Sequence, residues 1–275
     1  TLRLKLTMAY RQHLTTHGAT KPRPTPLQKQ PRLSTQPDRK IAMSPIQMPL
    51  AVNFRDQNGF DNYIPGENIA VTQALQSLAS NHEDNEQFIY IWGKPGAGKS
   101  HLLQACCHEV NTHSQRSAYL PLKNQTAIHP AMLENLEHVN LVCIDDIDSV
   151  LTNPTWEEAL FHFFNAIKEA NNRLLISANG PPQQLNCKLA DLQSRLCWGL
   201  TLQVKLLSDE QKAQAIQHRA KLRGLELNDD VTQFIINHCA RDTHTLFNIL
   251  DKLDKASLIE KRRITIPFLK KILID

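Results

Sequence analysis

The segment Gly93-Lys94-Pro95-Gly96-Ala97-Gly98-Lys99-Ser100 fits GxxxxGK[ST], directly after the apolar run Phe88-Ile-Tyr-Ile-Trp92 and before the helical stretch His101-Leu-Leu-Gln-Ala105. That setting suits a phosphate-binding loop. Glycines let successive backbone N–H groups close around phosphate oxygens, and the start of a helix adds a favourable dipole. Lys99 can reach the outer phosphates, and the Ser100 hydroxyl can ligate Mg²⁺.

Further downstream, Leu141-Val-Cys-Ile-Asp145-Asp146 is an apolar strand ending in two carboxylates. Strand-end acids often cap loops, but after a phosphate loop this arrangement puts Asp145 on the Mg²⁺ shell and Asp146 near an attacking water. Asn179 follows the next apolar strand, where its amide could reach a γ-phosphate or position water; in isolation it reads as a turn residue. Arg195, in Leu192-Gln-Ser-Arg195-Leu-Cys-Trp198-Gly199, would by itself be a surface ion-pairing residue. Beyond the sheet edge of a phosphate-loop ATPase, such an arginine can also act in trans on a neighbour's nucleotide. Gln47-Met48-Pro49-Leu50 has two apolar anchors and a Gln, extended by proline, which suits docking into a partner's groove or serves as a plain entry segment. His244 is a single histidine on a helical stretch, and nothing local makes it a catalyst.

The elements that carry these residues alternate. Phe88–Trp92, Ser117–Leu122, Val139–Ile144, Leu174–Ser177 and Leu200–Val204 read as buried strands separated by helices. This predicts an α/β fold with a five-stranded, mostly parallel sheet flanked by helices. Trp156, Ala159, Leu160, Phe163, Phe164 and Ile167 recur at helical spacing behind Asn153 as N-cap and Pro154 at the first helical position, so that face is core. After about Leu207 the strand signals stop. Ser208-Asp-Glu-Gln211 is a capping box for a helix running to Arg223 and closed by Gly224, and helical patterns over 229–239, 243–260 and 267–273 complete a small α-helical lid.

Composition bounds the rest. The 275 residues, with 41% hydrophobic, can build one large domain or two modest ones. No apolar run approaches the roughly 20 residues that span a bilayer. Six scattered cysteines without a CxxC pair argue against zinc and against a disulfide framework, which points to the reducing cytoplasm. Residues 1–42 hold nine Lys/Arg against one acid, so of the chain's 31 basic and 27 acidic residues, 22 and 26 remain for 43–275. The folded part is mildly acidic, opposite to a DNA-binding domain that neutralises phosphates. The tail 1–42 is rich in proline and reads as disordered, either an over-called start before Met43 or a basic nucleic-acid arm. The expected division is 1–42 tail, 43–53 docking peptide and linker, 54–206 nucleotide-binding domain and 207–275 lid.

The phosphate loop, acidic strand end, Asn179, Arg195 and helical lid together resemble an AAA+ ATPase. Phe60-Asp-Asn-Tyr63 and Gly66-Glu-Asn68 look like the opening of the nucleotide-binding domain of the DnaA family, and Ser194-Arg195-Leu196 with Trp198-Gly199-Leu200 looks like the family box that holds an arginine finger. The sequence ends at Asp275, where DnaA continues into a helix-turn-helix. The order of a QxxL-type peptide, an AAA+ core and an early end is similar to the family's DnaA-homologous regulatory inactivators. Pro181-Pro182-x-Gln184-Leu185, Leu222-Arg-Gly224 and Arg262 followed by Ile264-Thr-Ile-Pro-Phe268 are similar too.

That resemblance implies a negative regulator of replication initiation. It would bind the DNA-loaded sliding clamp, the beta subunit of DNA polymerase III, through Gln47, Met48 and Leu50, and reach DNA through the clamp. It would hold ADP, or ATP, with Mg²⁺, and stimulate hydrolysis of DnaA-bound ATP with Arg195 as the finger. Asn179 takes the sensor-1 position and His244 the sensor-2 position, where the family usually has Arg. A His there is partly charged near neutrality and cannot fork two donors onto a phosphate. Weak intrinsic ATPase activity and a homo-oligomer stay open. The alternatives are a stand-alone ATPase of the helicase-loader type and a DNA-binding initiator paralogue using residues 1–42.

Overall fold

A computed structural model describes residues 58–80, 86–123, 128–238, 243–260 and 264–274. The tail 1–42, the Gln47–Leu50 peptide and Arg262 lie outside the described residues. Within the unit Leu50–Asp275 the elements run α1 (Ile69–Ser80), β1 (Phe88–Trp92), α2 (Lys99–Thr112), β2 (Ser117–Pro121), β3 (Leu141–Asp145), α3 (Pro154–Glu169), β4 (Arg173–Ala178), α4 (Ala190–Leu196) and β5 (Leu200–Gln203). Four helices follow: α5 (Asp209–Leu222), α6 (Asp229–His238), α7 (Thr243–Glu260) and α8 (Ile266–Ile274).

The strands form one parallel sheet in the order β2-β3-β4-β1-β5. β3 and β4 are buried at every residue, which is why Leu141–Ile144 and Leu174–Ile176 are apolar without alternation. Alternate residues feed two cores. Ile89, Ile91, Leu102, Cys106, Leu141, Cys143 and Leu175 pack with α1 and α2 on one face, while Tyr90, Val142, Ile144, Leu160, Phe164, Leu192 and Leu196 pack with α3 and α4 on the other. A third core, built on Ile216, Ile235, Leu250, Leu253 and Leu269, belongs to the lid.

Helix starts follow local chemistry. Asn153 Oδ1 accepts from Thr155 N at 3.1 Å, and Ser208 Oγ accepts from Gln211 N at 3.2 Å while Gln211 Oε1 accepts from Ser208 N at 2.9 Å. The third strand begins at Leu141, two residues later than the apolar pattern predicts. A 3₁₀ turn over Leu136–His138 uses up that stretch, and Asn140 Oδ1 accepts from Arg116 N at 3.0 Å.

Two buried charges tie the layers together. The Arg173 guanidinium donates to the carbonyls of Leu78 (2.6 Å), Ala79 (3.0 Å) and Asn140 (3.1 Å), stapling the end of α1 to the sheet. The Glu157 carboxylate, on α3, accepts from Thr152 N (2.8 Å), Lys188 N (3.1 Å) and Leu189 N (2.8 Å). It thereby fixes the segment leading into α4. Its partner Thr152 has φ +81°, a strained value for a β-branched residue, so the same bond also restrains that backbone.

Candidate nucleotide-binding site

In a parallel sheet every strand ends at the same edge, and the loops after β1, β3 and β4 carry the chemistry named above. They line a cavity of about 730 Å³ together with lid residues Leu207, Ala215, Arg219, Phe247, Asn248 and Asp251. Its volume suits a ligand of nucleotide size. Pro95, Gly96, Ala97, Gly98, Lys99, Ser100, Asp146 and Asn179 all face it. Gly98 has φ +93°, a conformation that calls for glycine, and a Cβ there would also crowd the Tyr63 ring at 3.1 Å.

Lys99 is the centre of the loop. Its ammonium donates to the carbonyl of Gly93 at 2.8 Å and of Lys94 at 3.5 Å, and to Asn179 Oδ1 at 3.2 Å. Burial lowers its pKa, and Asp146, Asp145 and Asp148 oppose that shift. Asn179 is held in turn by Asp148, whose carboxylate accepts from Asn179 Nδ2 at 2.6 Å and from its backbone N–H at 3.3 Å. Asp148 is thus the residue that orients Asn179. The sequence offered one signal for it, a third acid in Asp145-Asp146-Ile-Asp148.

Asp145 is buried beneath the cavity, with both oxygens engaged. Oδ2 accepts from Tyr119 Oη at 2.7 Å and Oδ1 accepts from Ser177 Oγ. Burial, followed by the Asp145 charge, pushes the Tyr119 phenol far up, so it stays a donor at any ordinary pH. Ser177 Oγ also accepts from Asp146 N at 3.0 Å. Asp146 adopts φ +55°, a strained value that aims its carboxylate at the cavity. Burial and then Asp145 raise its pKa, which Lys99 opposes.

The rim nearest the start of the described chain adds contacts that sequence reasoning missed. His101 Nε2 lies 3.0 Å from the carbonyl of Gly59, and burial lowers the imidazole to about 4, so it is neutral and donates that bond. Arg219, on α5, donates to Asn58 Oδ1 at 3.2 Å and lies 4.2 Å from the centre of the Phe247 ring. Only its place in a basic helix could have marked it. His244 lies within α7, and its side chain is outside the described residues.

The residues fit a nucleoside phosphate with a divalent cation. A buried ammonium is bound only by neutral oxygens, the loop's glycines accept a close backbone approach, and the Ser100 hydroxyl with the Asp146 and Asp148 carboxylates on the cavity wall, and Asp145 buried beside Asp146, are hard oxygens of the kind that Mg²⁺ prefers. Among the described residues there is no cluster of three His, Cys, Asp or Glu side chains placed to hold a metal by themselves.

Arg195 is elsewhere. It precedes β5, whose first residue pairs with Ile89 near the start of β1, so it stands at the edge of the sheet opposite the phosphate loop. A strand of this length separates the two edges by roughly 15 Å. Its guanidinium lies 4.4 Å from the centre of the Trp198 ring and 5.8 Å from that of Phe161, while Lys168 Nζ covers Trp198 at 3.7 Å. Gly199 locks this corner: its φ is +69°, and a Cβ would come within 2.1 Å of the Phe88 carbonyl.

Comparison with solved structures gives the same architecture. The chain is similar to domain III of the Thermotoga maritima replication initiation protein DnaA (22% identity, 80% of this chain and 96% of that one, TM-score 0.68). It is also similar to AMPPCP-bound DnaA from Aquifex aeolicus (21% identity, 73% and 66%, TM-score 0.60). The Thermotoga maritima RuvB Holliday junction branch migration motor shares the fold more distantly (18% identity, 80% and 72%, TM-score 0.58). The family model of the bacterial DnaA ATPase domain matches residues 54–203, rather more than half of the chain, and that of the Hda lid domain matches 209–273. With a DnaA-type ATPase domain running into an Hda-type lid, the chain belongs to the Hda-type, DnaA-homologous AAA+ proteins.

Proposed function

We propose that this protein is a nucleotide-dependent negative regulator of replication initiation, which binds the DNA-loaded sliding clamp and stimulates hydrolysis of ATP held by DnaA. The observation that carries the reading is the separation of Arg195 from its own phosphate loop by the length of the sheet. A guanidinium placed there cannot serve the nucleotide of its own chain, but it is free to enter the site of a neighbour, where positive charge stabilises a transferring phosphoryl group. Trp198 and Phe161 hold it by cation–π contacts rather than by a carboxylate, which leaves its hydrogen-bond donors for that role.

In its own cavity the chain holds ADP, or ATP. Backbone N–H groups of Gly96, Gly98, Lys99 and Ser100 face the phosphates and Lys99 balances their charge. Asn179, oriented by Asp148, meets the outermost phosphate or a water beside it, and Asp146 is the acid nearest that water. A bound Mg²⁺, held by Ser100 and Asp145, would neutralise phosphate charge. Docking on the clamp is assigned to Gln47, Met48 and Leu50, and DNA is reached through the clamp. The setting is the cytoplasm, in keeping with buried thiols at Cys106, Cys107 and Cys143.

The test is the conversion of DnaA-bound ATP to ADP, with and without this protein, in the presence of ADP and of clamp loaded on DNA. Clamp-dependent stimulation that Arg195→Ala abolishes, with ADP binding retained, is the expected result. The full set of Lys99, Asp145, Asp146 and Asn179 at one edge also favours a second reading, a stand-alone ATPase of the helicase-loader type. Turnover by the protein alone without any effect on DnaA would establish that reading instead.

A further inference from the structure

We propose that Tyr119 is a positioning residue of the metal–phosphate centre, holding Asp145 in the orientation in which it meets the divalent cation. This rests on the cavity's being a Mg²⁺–nucleotide site.

The sheet register dictates the contact. β2 pairs with β3 so that Tyr119 lies opposite Cys143, and β3 pairs with β4 with Cys143 opposite Leu175. Two residues further along, Asp145 and Ser177 face the same side as Cys143 and Leu175, the side that α2 covers. Tyr119 reaches Asp145 across the diagonal and Ser177 reaches it from directly opposite, which makes a row of three polar groups under α2.

α2 lies over this row, and its Ser100 and Gln104, one helical turn apart, both line the cavity. Gln104 Oε1 accepts from Asn58 Nδ2, and Asn58 Oδ1 accepts from Arg219 of the lid helix α5.

A carboxylate oxygen has two lone pairs. With the phenol on one of those of Oδ2, the other keeps a fixed direction, and a metal-binding carboxylate gains from a partner that fixes its rotamer. Without the hydroxyl, Asp145 retains only Ser177 and can turn about its side-chain torsions. The loss falls on the cation and not on the nucleotide itself, which is gripped by Lys99 and the loop backbone.

The experiment compares ADP affinity of the full chain in Mg²⁺ and in EDTA, for the wild type and for Tyr119→Phe. The wild type binds ADP more tightly with Mg²⁺. The variant keeps the EDTA affinity within about twofold and loses on the order of 10-fold of the Mg²⁺-linked gain, the loss that removal of such an outer partner typically causes. Ser177→Ala, which strips the other partner from Asp145, loses Mg²⁺-linked affinity in the same direction. An unchanged Mg²⁺-linked gain in Tyr119→Phe, or an equal weakening in Mg²⁺ and EDTA, would overturn the proposal and leave a structural phenol. A wild type whose ADP affinity ignores Mg²⁺ would instead overturn the underlying reading of the site.

Discussion

Replacing Glu157 by Gln tests whether one buried carboxylate organises the approach to α4. Glu157 accepts three backbone N–H groups with its two oxygens, each of the four contacts within 3.1 Å. The isosteric amide keeps one acceptor oxygen for Thr152 and part of Lys188, but it turns an NH₂ donor toward the N–H of Leu189. One charge-assisted bond is lost, worth about 1.5–3 kcal/mol, and a half-buried N–H is left facing another donor at a further cost of about 1 kcal/mol or more. The sum is about 3 kcal/mol. For a folded body of this size that lowers Tm by roughly 6–12 °C, measured by near-UV circular dichroism.

Burial pushes the Glu157 carboxyl up, and the N–H groups of Lys188, Thr152 and Leu189 with the Lys188 charge more than reverse it, leaving a pKa below the usual value. Because the folded value is the lower one, the stabilisation is complete above the unfolded pKa of about 4.3 and disappears as pH falls through the folded pKa. The gap between wild type and Glu157→Gln is therefore full at pH 7, begins to close as the pH falls below the unfolded value of about 4.3, and closes through the lower, folded value. A gap under 1 °C at pH 7, or one of constant size down to pH 3, would refute the reasoning.

Two further substitutions probe the Arg195 corner. Gly199→Ala forces a Cβ to within 2.1 Å of the Phe88 carbonyl and requires a disfavoured φ, so a loss of about 3 kcal/mol or more is expected by urea unfolding; a midpoint within error of wild type would show that the β1–β5 corner relaxes freely. Trp198→Ala removes the ring that Arg195 and Lys168 both cover and should reduce stimulation of DnaA-bound ATP hydrolysis several-fold at unchanged ADP affinity, with Trp198→Phe restoring part of it. Full activity in Trp198→Ala would mean that Arg195 needs no such support.

Local signals made much of this molecule legible in advance. The phosphate loop is a contiguous motif between a strand and a helix, and the Ser208 capping box marks the lid's entry because both of its hydrogen bonds lie within four residues. The five strands were legible as apolar runs, with ends displaced by one or two residues, most at β3, which starts after a 3₁₀ turn, and at β4, which takes in Arg173. Tyr119 and Ser177 were not legible. They meet Asp145 from two other strands, and the register that aligns them is a property of the assembled sheet. Arg173 likewise reads as an ordinary polar residue at a strand start until the carbonyls of α1 come to it. Side chains that act alone within a motif could be named from sequence, whereas those that act by holding another residue could not.

On the proposed function, the two edges of the parallel sheet divide the work of keeping a nucleotide and acting on another. Residues that follow strands collect at one edge, as Lys99, Asp145, Asp146 and Asn179 do, and residues that precede strands collect at the other, as Arg195 and Trp198 do. α4 is the link. Its first turn follows Lys188 and Leu189, which Glu157 pins, and its last turn carries Arg195. Being only seven residues long and packed through Leu192 and Leu196, α4 has little freedom to move one end without the other. On the proposed function, Glu157→Gln should therefore reduce stimulation of DnaA at temperatures where the protein is still folded, while ADP affinity, set at the far edge, stays as it was. Stimulation that follows the folded fraction alone would show that the Glu157 clamp stabilises the domain without positioning the arginine.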